Sequence, residues 1–170
     1  MSPRVCAGGL AVAVALAPAG CGGGGGGGGE QRMSKSAYER AFKATLARYK
    51  KRARPILRAE RRGRTLRERA RGFERIRQLV LRTDAELARL RPPAEVSAAH
   101  AAIVNGVRAY VNGPAKRASA AFRRGDFKRG NAILDDEAQV PIGDTAGADQ
   151  GAAELRARGY HVGPVEDFLP

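Results

Sequence analysis

The sequence predicts an all-α fold, an antiparallel bundle of about four helices that follows a cleaved signal peptide and a poly-Gly linker. From Glu30 onward, apolar residues recur at spacings of three and four, the period of an amphipathic helix. The same region has no Asn-Gly hairpin signal and no convincing alternation of apolar and polar residues. Capping motifs, glycines and prolines divide it into segments joined by short turns, which favours antiparallel neighbours.

Length and composition restrict the class of protein. The 170 residues allow one domain, and 31 Lys and Arg against 17 Asp and Glu give a net charge of +14. Apolar residues make up 43% of the chain and aromatic residues only 5%, so the core must consist mainly of Ala, Leu and Val. This composition excludes a collagen, a disulfide-dense mini-domain and a membrane protein with several spans.

The first twenty residues are typical of a secretory signal peptide. A single positive charge at Arg4 precedes twelve uncharged residues, Val5 to Leu16, and small residues follow at positions 17–20. The apolar stretch is shorter than the ~20 residues that a membrane-spanning helix needs. We therefore expect the leader to be removed and the mature chain to lie outside the cytoplasm.

Cys21 stands directly after Ala19 and Gly20, and this junction resembles the lipobox of bacterial lipoproteins. The resemblance implies that the Cys21 thiol carries a diacylglyceryl group, although Pro18 replaces the usual Leu, Val or Ile. The run Gly22 to Gly29 would then be a flexible tether with a reach of ~15 Å. The alternative is ordinary secretion, with cleavage after Ala19 and a free thiol at Cys21.

The first predicted helix begins at a capping box, with Ser36 as its N-cap and Glu39 as the reciprocal partner. We expect Pro55 to kink or end it, and the helix to resume as far as Arg62 before Gly63. Its apolar face consists of Tyr38, Phe42, Leu46, Tyr49 and Ala53.

A second capping box, Thr65 to Glu68, starts the next helix, and Pro92 and Pro93 end it. Its apolar residues follow a heptad-like stripe, which predicts one face packed against a neighbouring helix. The stripe consists of Leu66, Phe73, Ile76, Val80, Leu87 and Leu90.

The rest of the chain predicts a third helix with a kink at Gly113-Pro114 that continues to about Arg124. A short fourth helix follows the turn at Asp126, Pro141 to Gly151 resembles a loop, and Ala152 to Arg158 is a last helical piece. We expect four parts, namely a signal peptide at 1–20, a lipid-anchor Cys with a Gly-rich linker at 21–35, the bundle at 36–163 and a tail at 164–170.

Three segments of the helical region resemble small predicted bacterial lipoproteins of unknown function. Leu87 to Tyr110 has a helix that ends in Leu-x-x-Leu-x-Pro-Pro, followed by a helix with a His and an apolar face. The segments Arg123 to Asp126 and Leu155 to Tyr160 are also similar to that group. The resemblance covers most of residues 30–163 and implies a helical lipoprotein, but its motifs mark helix ends and imply no reaction.

The positive charge is concentrated in the first two helices. Residues 38–82 contain 17 Lys or Arg and 4 acids, whereas residues 83–170 contain 11 basic and 12 acidic residues. A secreted chain without a recognition motif does not predict a nucleic-acid partner, so we expect anionic lipid headgroups or cell-wall polyanions, or else a merely solvated face. A protein partner stays open. The candidate polyanion contacts are Arg48, Lys50, Lys51, Arg52, Arg54, Arg58, Arg61, Arg62 and Arg64.

No set of residues predicts catalysis, a metal site or a cofactor. The sequence has two histidines and lacks the His-Glu-x-x-His, Cys-x-x-Cys and Gly-x-Ser-x-Gly patterns. His100 falls at a core position, where packing and hydrogen bonding are expected. We therefore expect a non-enzymatic, membrane-tethered helical-bundle lipoprotein on the extracytoplasmic face of a bacterial membrane. The alternative function is binding of anionic envelope components through the basic 38–82 hairpin.

Overall fold

The computed structural model describes residues 31–63, 65–139 and 144–162, and all regular secondary structure in these ranges is helical. This confirms the all-α class for the described residues. The leader, the glycine tract, Cys21, Arg64 and the 164–170 tail lie outside them. The elements are α1 Lys35–Arg62, α2 Leu66–Leu87, a 3-10 turn Ala94–Val96, α3 Ser97–Asn112, α4 Pro114–Arg123, α5 Phe127–Gln139 and α6 Asp144–Ala157.

The first helix starts earlier than expected and does not break at its proline. Ser34 is the N-cap and its hydroxyl accepts a hydrogen bond from the amide three residues on, at 3.3 Å, so the predicted N-cap at Ser36 is wrong. The helix does not end at Pro55, because α1 is continuous from Lys35 to Arg62. Pro55 is exposed, and Ala53 and Leu57 on either side of it pack against the same core, which outweighs one lost hydrogen bond.

The second helix begins where the sequence predicts. The Thr65 hydroxyl accepts from the Glu68 amide at 3.2 Å, and the Glu68 carboxylate accepts from the Thr65 amide at 3.0 Å. The predicted stripe is correct from Ile76 to Leu87, whose side chains are buried. Leu66 is an exception, since it is 54% exposed at the start of the helix.

α1 and α2 lie side by side in opposite directions. Glu60 near the end of α1 approaches Arg69 near the start of α2 at 3.8 Å. Farther along, Arg48 contacts Glu86 at 2.8 Å. The partner numbers rise on α2 as they fall on α1, which defines an antiparallel pair joined by the short connection at 63–65.

The predicted third helix is divided into two. Gly113 separates α3 from α4 with φ −92° and ψ −103°, and Pro114 occupies the first turn of α4, where its missing N–H costs no hydrogen bond. The phase of the apolar residues is nevertheless as predicted, because Ala118, Ala121 and Phe122 are all buried.

The expectation of a loop at 141–151 is wrong from Asp144 onward, because α6 begins there. Residues 140–143 lie outside the description. Gly151, which suggested a loop, instead allows α6 to approach α3 closely, whereas Gly147 on the same helix has an ordinary contact distance. An ideal Cβ on Gly151 would lie 2.4 Å from the Ala99 carbonyl oxygen, and one on Gly147 would lie 3.8 Å from the Ala102 carbonyl oxygen.

The buried residues form two hydrophobic clusters. The larger one joins α1, α2, α3 and α6 with residues from the ends of these helices, Val96, Tyr160 and Val162. The smaller one joins α2 to α4 and α5. It consists of Ala70, Ala118 and Phe122, with Phe73, Phe127, Ile133 and Leu134 partly buried against it.

We predict that Gly151→Ala destabilises the fold by about 2 kcal/mol or more, because a methyl group at 2.4 Å from a backbone oxygen forces α3 and α6 apart. Gly147→Ala is the matched control on the same helix. Its Cβ has an ordinary contact distance, so it should be neutral or stabilising by up to ~1 kcal/mol. Thermal and urea unfolding followed by circular dichroism measures both. Equal effects of the two substitutions would contradict the close packing of α6 on α3.

Candidate functional site

The outward side of α1 is a continuous basic surface. Eight exposed cations recur at helical spacing from Arg40 to Arg62, opposite the buried Tyr38, Phe42 and Tyr49. At 1.5 Å per residue this surface is ~33 Å long. Glu39 and Glu60 are the only acids of the helix, and both lie half-buried toward its packed side. We call this surface the basic face of α1, and it consists of Arg40, Lys43, Lys50, Lys51, Arg54, Arg58, Arg61 and Arg62.

The structure divides the nine predicted polyanion contacts. Lys50, Lys51, Arg54, Arg58, Arg61 and Arg62 belong to the basic face of α1. Arg48 and Arg52 do not, because both turn toward α2, where their guanidinium groups contact the Glu86 carboxylate at 2.8 Å and 3.5 Å. Hydrogen bonding from Arg48 lowers the pKa of Glu86, so the carboxylate stays ionised and neutralises part of this charge. Arg64 lies outside the described residues.

Five further arginines, for which the sequence gives no prediction, surround a second surface feature. Arg67, Arg71 and Arg75 follow one another at spacings of four on α2, and Arg123 and Arg124 stand at the end of α4. Together they line a cleft of about 710 Å³, which we call the arginine cleft. In the sequence, only the adjacent arginines 123–124 hint at this cleft, because its two sides lie about fifty residues apart in the chain.

The one carboxylate in the arginine cleft is already engaged. Glu74 accepts hydrogen bonds from Arg77 at 2.8 Å and 2.9 Å, from Gln78 at 2.8 Å and from the buried Ser119 hydroxyl. These hydrogen bonds, that of Arg77 first, lower the pKa of Glu74 to about 2 against the opposing effect of burial. The carboxylate therefore stays ionised and directed toward Arg77.

An apolar cleft of about 380 Å³ adjoins the arginine cleft. The two share Ala70, Phe122 and Phe127 as a common wall. Leu66 stands at its edge as the one large hydrophobic residue that is strongly exposed among those described. Leu57, Phe73, Ile76 and Leu134 give the cleft most of its apolar surface. Four polar residues also line it, namely Glu60, Arg61, Arg69 and Asn131, and Glu60 approaches Arg69 at 3.8 Å.

His100 belongs to the core. Its side chain is buried, its Nδ1 lies 2.9 Å from the Tyr38 hydroxyl, and its ring packs edge-on against Tyr38 and Phe42. Burial lowers the pKa of His100, although the Leu87 carbonyl favours the protonated ring, and Nε2 forms no hydrogen bond with the described residues. These contacts agree with the expected packing role.

Asp84 is a buried carboxylate that the sequence gave no reason to expect. It is 3% exposed, and one oxygen accepts a hydrogen bond from Arg108 Nε at 3.0 Å. Burial raises the pKa of Asp84, against the attraction of Arg108. The other oxygen has no partner among the described residues, and the pair ties α2 to α3.

The described residues contain no group of three or more His, Cys, Asp and Glu that could hold a metal ion. None of the helices in the described ranges is long and apolar enough to cross a bilayer. Comparisons of the chain with models of protein families, with curated proteins and with solved structures found no match.

We predict that Glu74→Gln destabilises the fold by roughly 2 kcal/mol at pH 7, because three donors lose an ionised acceptor. The pKa of Glu74 is lowered from its usual 4.5 to about 2, so its contribution is fully present above pH 4.5 and is lost as the pH falls from there toward 2. The difference between the original chain and the variant should shrink over that window in denaturant titrations. Glu86→Gln, which removes a carboxylate paired with exposed arginines, should cost less than 1 kcal/mol. A cost for Glu74→Gln that did not depend on pH would contradict this assignment.

Proposed function

We propose that this chain is a non-enzymatic, lipid-tethered helical bundle of the bacterial cell envelope that binds an anionic surface through the basic face of α1. The observation that carries the proposal is the distribution of charged side chains around α1. Eight cations, without an acid among them, occupy the side that packing does not use. This observation favours polyanion binding over a module without a charged partner.

The basic face of α1 has an electrostatic cost that an anionic partner would relieve. Several cations of this face stand three or four residues from one another in the helix. Arg54 has this spacing to Lys50, Lys51 and Arg58, and Arg58 has it to Arg61 and Arg62. Like charges at these spacings destabilise a helix by ~0.2–0.5 kcal/mol per pair. Near an anionic membrane surface each basic residue instead contributes ~1 kcal/mol, within a Debye length. An evenly solvated face gains nothing comparable from the same arrangement.

The membrane tether rests on the sequence of the N-terminal region. Lipidation of Cys21 would place diacylglyceryl in the outer leaflet, and two acyl chains anchor a protein stably where one does not. The glycine tract and the residues before α1 would let the basic face of α1 settle onto nearby headgroups. Secretion without lipid is the alternative, in which the basic face would have to supply all of the membrane affinity.

We predict that the chain sediments with vesicles that contain anionic lipid, and that salt weakens this binding. The double variant Arg54→Gln with Arg58→Gln should bind about tenfold or more weakly, since two contacts of ~1 kcal/mol each are removed. Lys116→Gln with Arg156→Gln removes the same net charge from exposed sites on α4 and α6 and should bind nearly as well as the original chain. Binding to neutral vesicles alone, or insensitivity to salt, would contradict the proposal. Preference for nucleic acid over vesicles would assign the basic face of α1 to a different polyanion.

We predict that the mature protein begins at an acylated Cys21. Mass spectrometry of the N-terminal peptide from membranes of a bacterial host should show a diacylglyceryl adduct on that residue. Cys21→Ala should abolish the adduct and leave the leader uncut at this junction. An unmodified Cys21 thiol on a secreted chain would remove the anchor while leaving the basic face of α1 to be tested separately.

A further inference from the structure

The arginine cleft combines five positive charges with very little compensation. Among the described residues none of the five guanidinium groups has a carboxylate partner, and all five side chains are exposed. Glu74 is the only acid that lines the cleft, and Arg77, Gln78 and Ser119 already occupy it. A compact anion is therefore the chemistry that this cleft lacks.

The floor of the arginine cleft is aromatic and rigidly placed. The rings of Phe122 and Phe127 stack at 5.4 Å, and Phe73 meets Phe122 edge-on at 5.2 Å. Gly125, with φ +82°, makes the turn between α4 and α5, and Gly130 lies so close that a Cβ there would fall 2.2 Å from the Phe122 ring. This close approach fixes the end of α4, with Arg123 and Arg124, opposite the arginines of α2.

The same aromatic residues lead from the charged cleft to the apolar one. Ala70, Phe122 and Phe127 line both, so a ligand with an anionic head and an apolar chain could contact both clefts at once. A volume of about 380 Å³ is near the lower end for small-molecule pockets, which suits one acyl chain better than two. One guanidinium group can donate two hydrogen bonds to the oxygens of a phosphate. Five guanidinium groups therefore suit a dianionic phosphate better than a singly charged headgroup.

We propose that the arginine cleft and the apolar cleft together form one binding site for a single-chain phosphate monoester amphiphile. The phosphate lies among Arg67, Arg71, Arg75, Arg123 and Arg124. The acyl chain passes over Phe122 and Phe127 into the apolar cleft beside Leu66. The site goes beyond the proposed function, because α2, α4 and α5 form it together with Leu57, Glu60 and Arg61 at the end of α1. Of the basic face of α1, it includes Arg61 alone.

The test is calorimetric titration of the full chain with a lysophosphatidate kept below its micelle concentration. We expect one molecule per chain. Lysophosphatidylcholine of the same chain length lacks the dianionic head, and inorganic phosphate lacks the chain, so each should bind at least about tenfold more weakly. Several molecules per chain, equal affinity for the choline lipid, or equal affinity for free phosphate would each overturn the proposal.

Two variants locate the binding. Arg71→Gln with Arg124→Gln takes one charge from each side of the arginine cleft and should weaken lysophosphatidate binding by about tenfold or more. Leu66→Ser changes an exposed side chain, so the fold should be kept, and it should weaken binding of the lipid without changing that of inorganic phosphate. Circular dichroism checks that both variants remain helical.

The charge-matched control separates this site from the basic face of α1. Arg54→Gln with Arg58→Gln should leave lysophosphatidate affinity within about twofold while reducing sedimentation with anionic vesicles. An equal loss of lysophosphatidate affinity in this variant and in the cleft variant would overturn the discrete site and leave only general electrostatic attraction. Unchanged vesicle sedimentation of this variant, with intact lysophosphatidate binding, would overturn the proposed function and support the discrete site.

Discussion

The structure depends on keeping one side of α1 out of water. Five of its residues, Tyr38, Phe42, Leu46, Tyr49 and Ala53, are at most 6% exposed and belong to the larger core cluster. With ~25 cal/mol gained per Å² of apolar surface, three aromatic rings and a leucine provide more stabilisation than any single ion pair on this surface. Their burial also fixes the rotation of the helix, and so the direction of every cation on the opposite side.

Glycines at the helix contacts compensate for the small number of large apolar side chains in this protein, because they let the helix backbones approach closely. Gly151 lets α6 approach the backbone of α3, and Gly130 receives the ring of Phe122. A Cβ on Gly72 would lie 2.8 Å from the side chain of Glu60, so the same device brings α2 close to α1. Close packing of backbones gives dispersion contacts that the few aromatic side chains could not supply alone.

The few acids of the basic half are not distributed evenly among the arginines. Glu74 forms an ion pair with Arg77, and Glu86, farther along α2, forms ion pairs with Arg48 and Arg52 of α1. These carboxylates therefore neutralise arginines at the contacts between helices. The five arginines of the arginine cleft have no carboxylate partner among the described residues, and no acid lies among the cations of the basic face of α1. The charge of the folded protein is therefore concentrated in two places, the basic face of α1 and the arginine cleft, and the proposed contacts with phosphate-bearing lipids follow from this division.

Local sequence was sufficient for the helical class, the Thr65 cap, the apolar face of α1 and the outward position of Lys51, Arg54 and Arg58, because helical spacing and capping act within a few residues. It was insufficient for the continuity of α1 through Pro55 and for α6, where packing against other helices outweighs the preferences of Pro and Gly. It also could not assign Arg48 to Glu86, or bring Arg123 and Arg124 to Arg67, Arg71 and Arg75. Both arrangements bring together residues that are dozens of positions apart in the chain. They are therefore determined by the packing of α2 against α1 and α4, and not by local sequence.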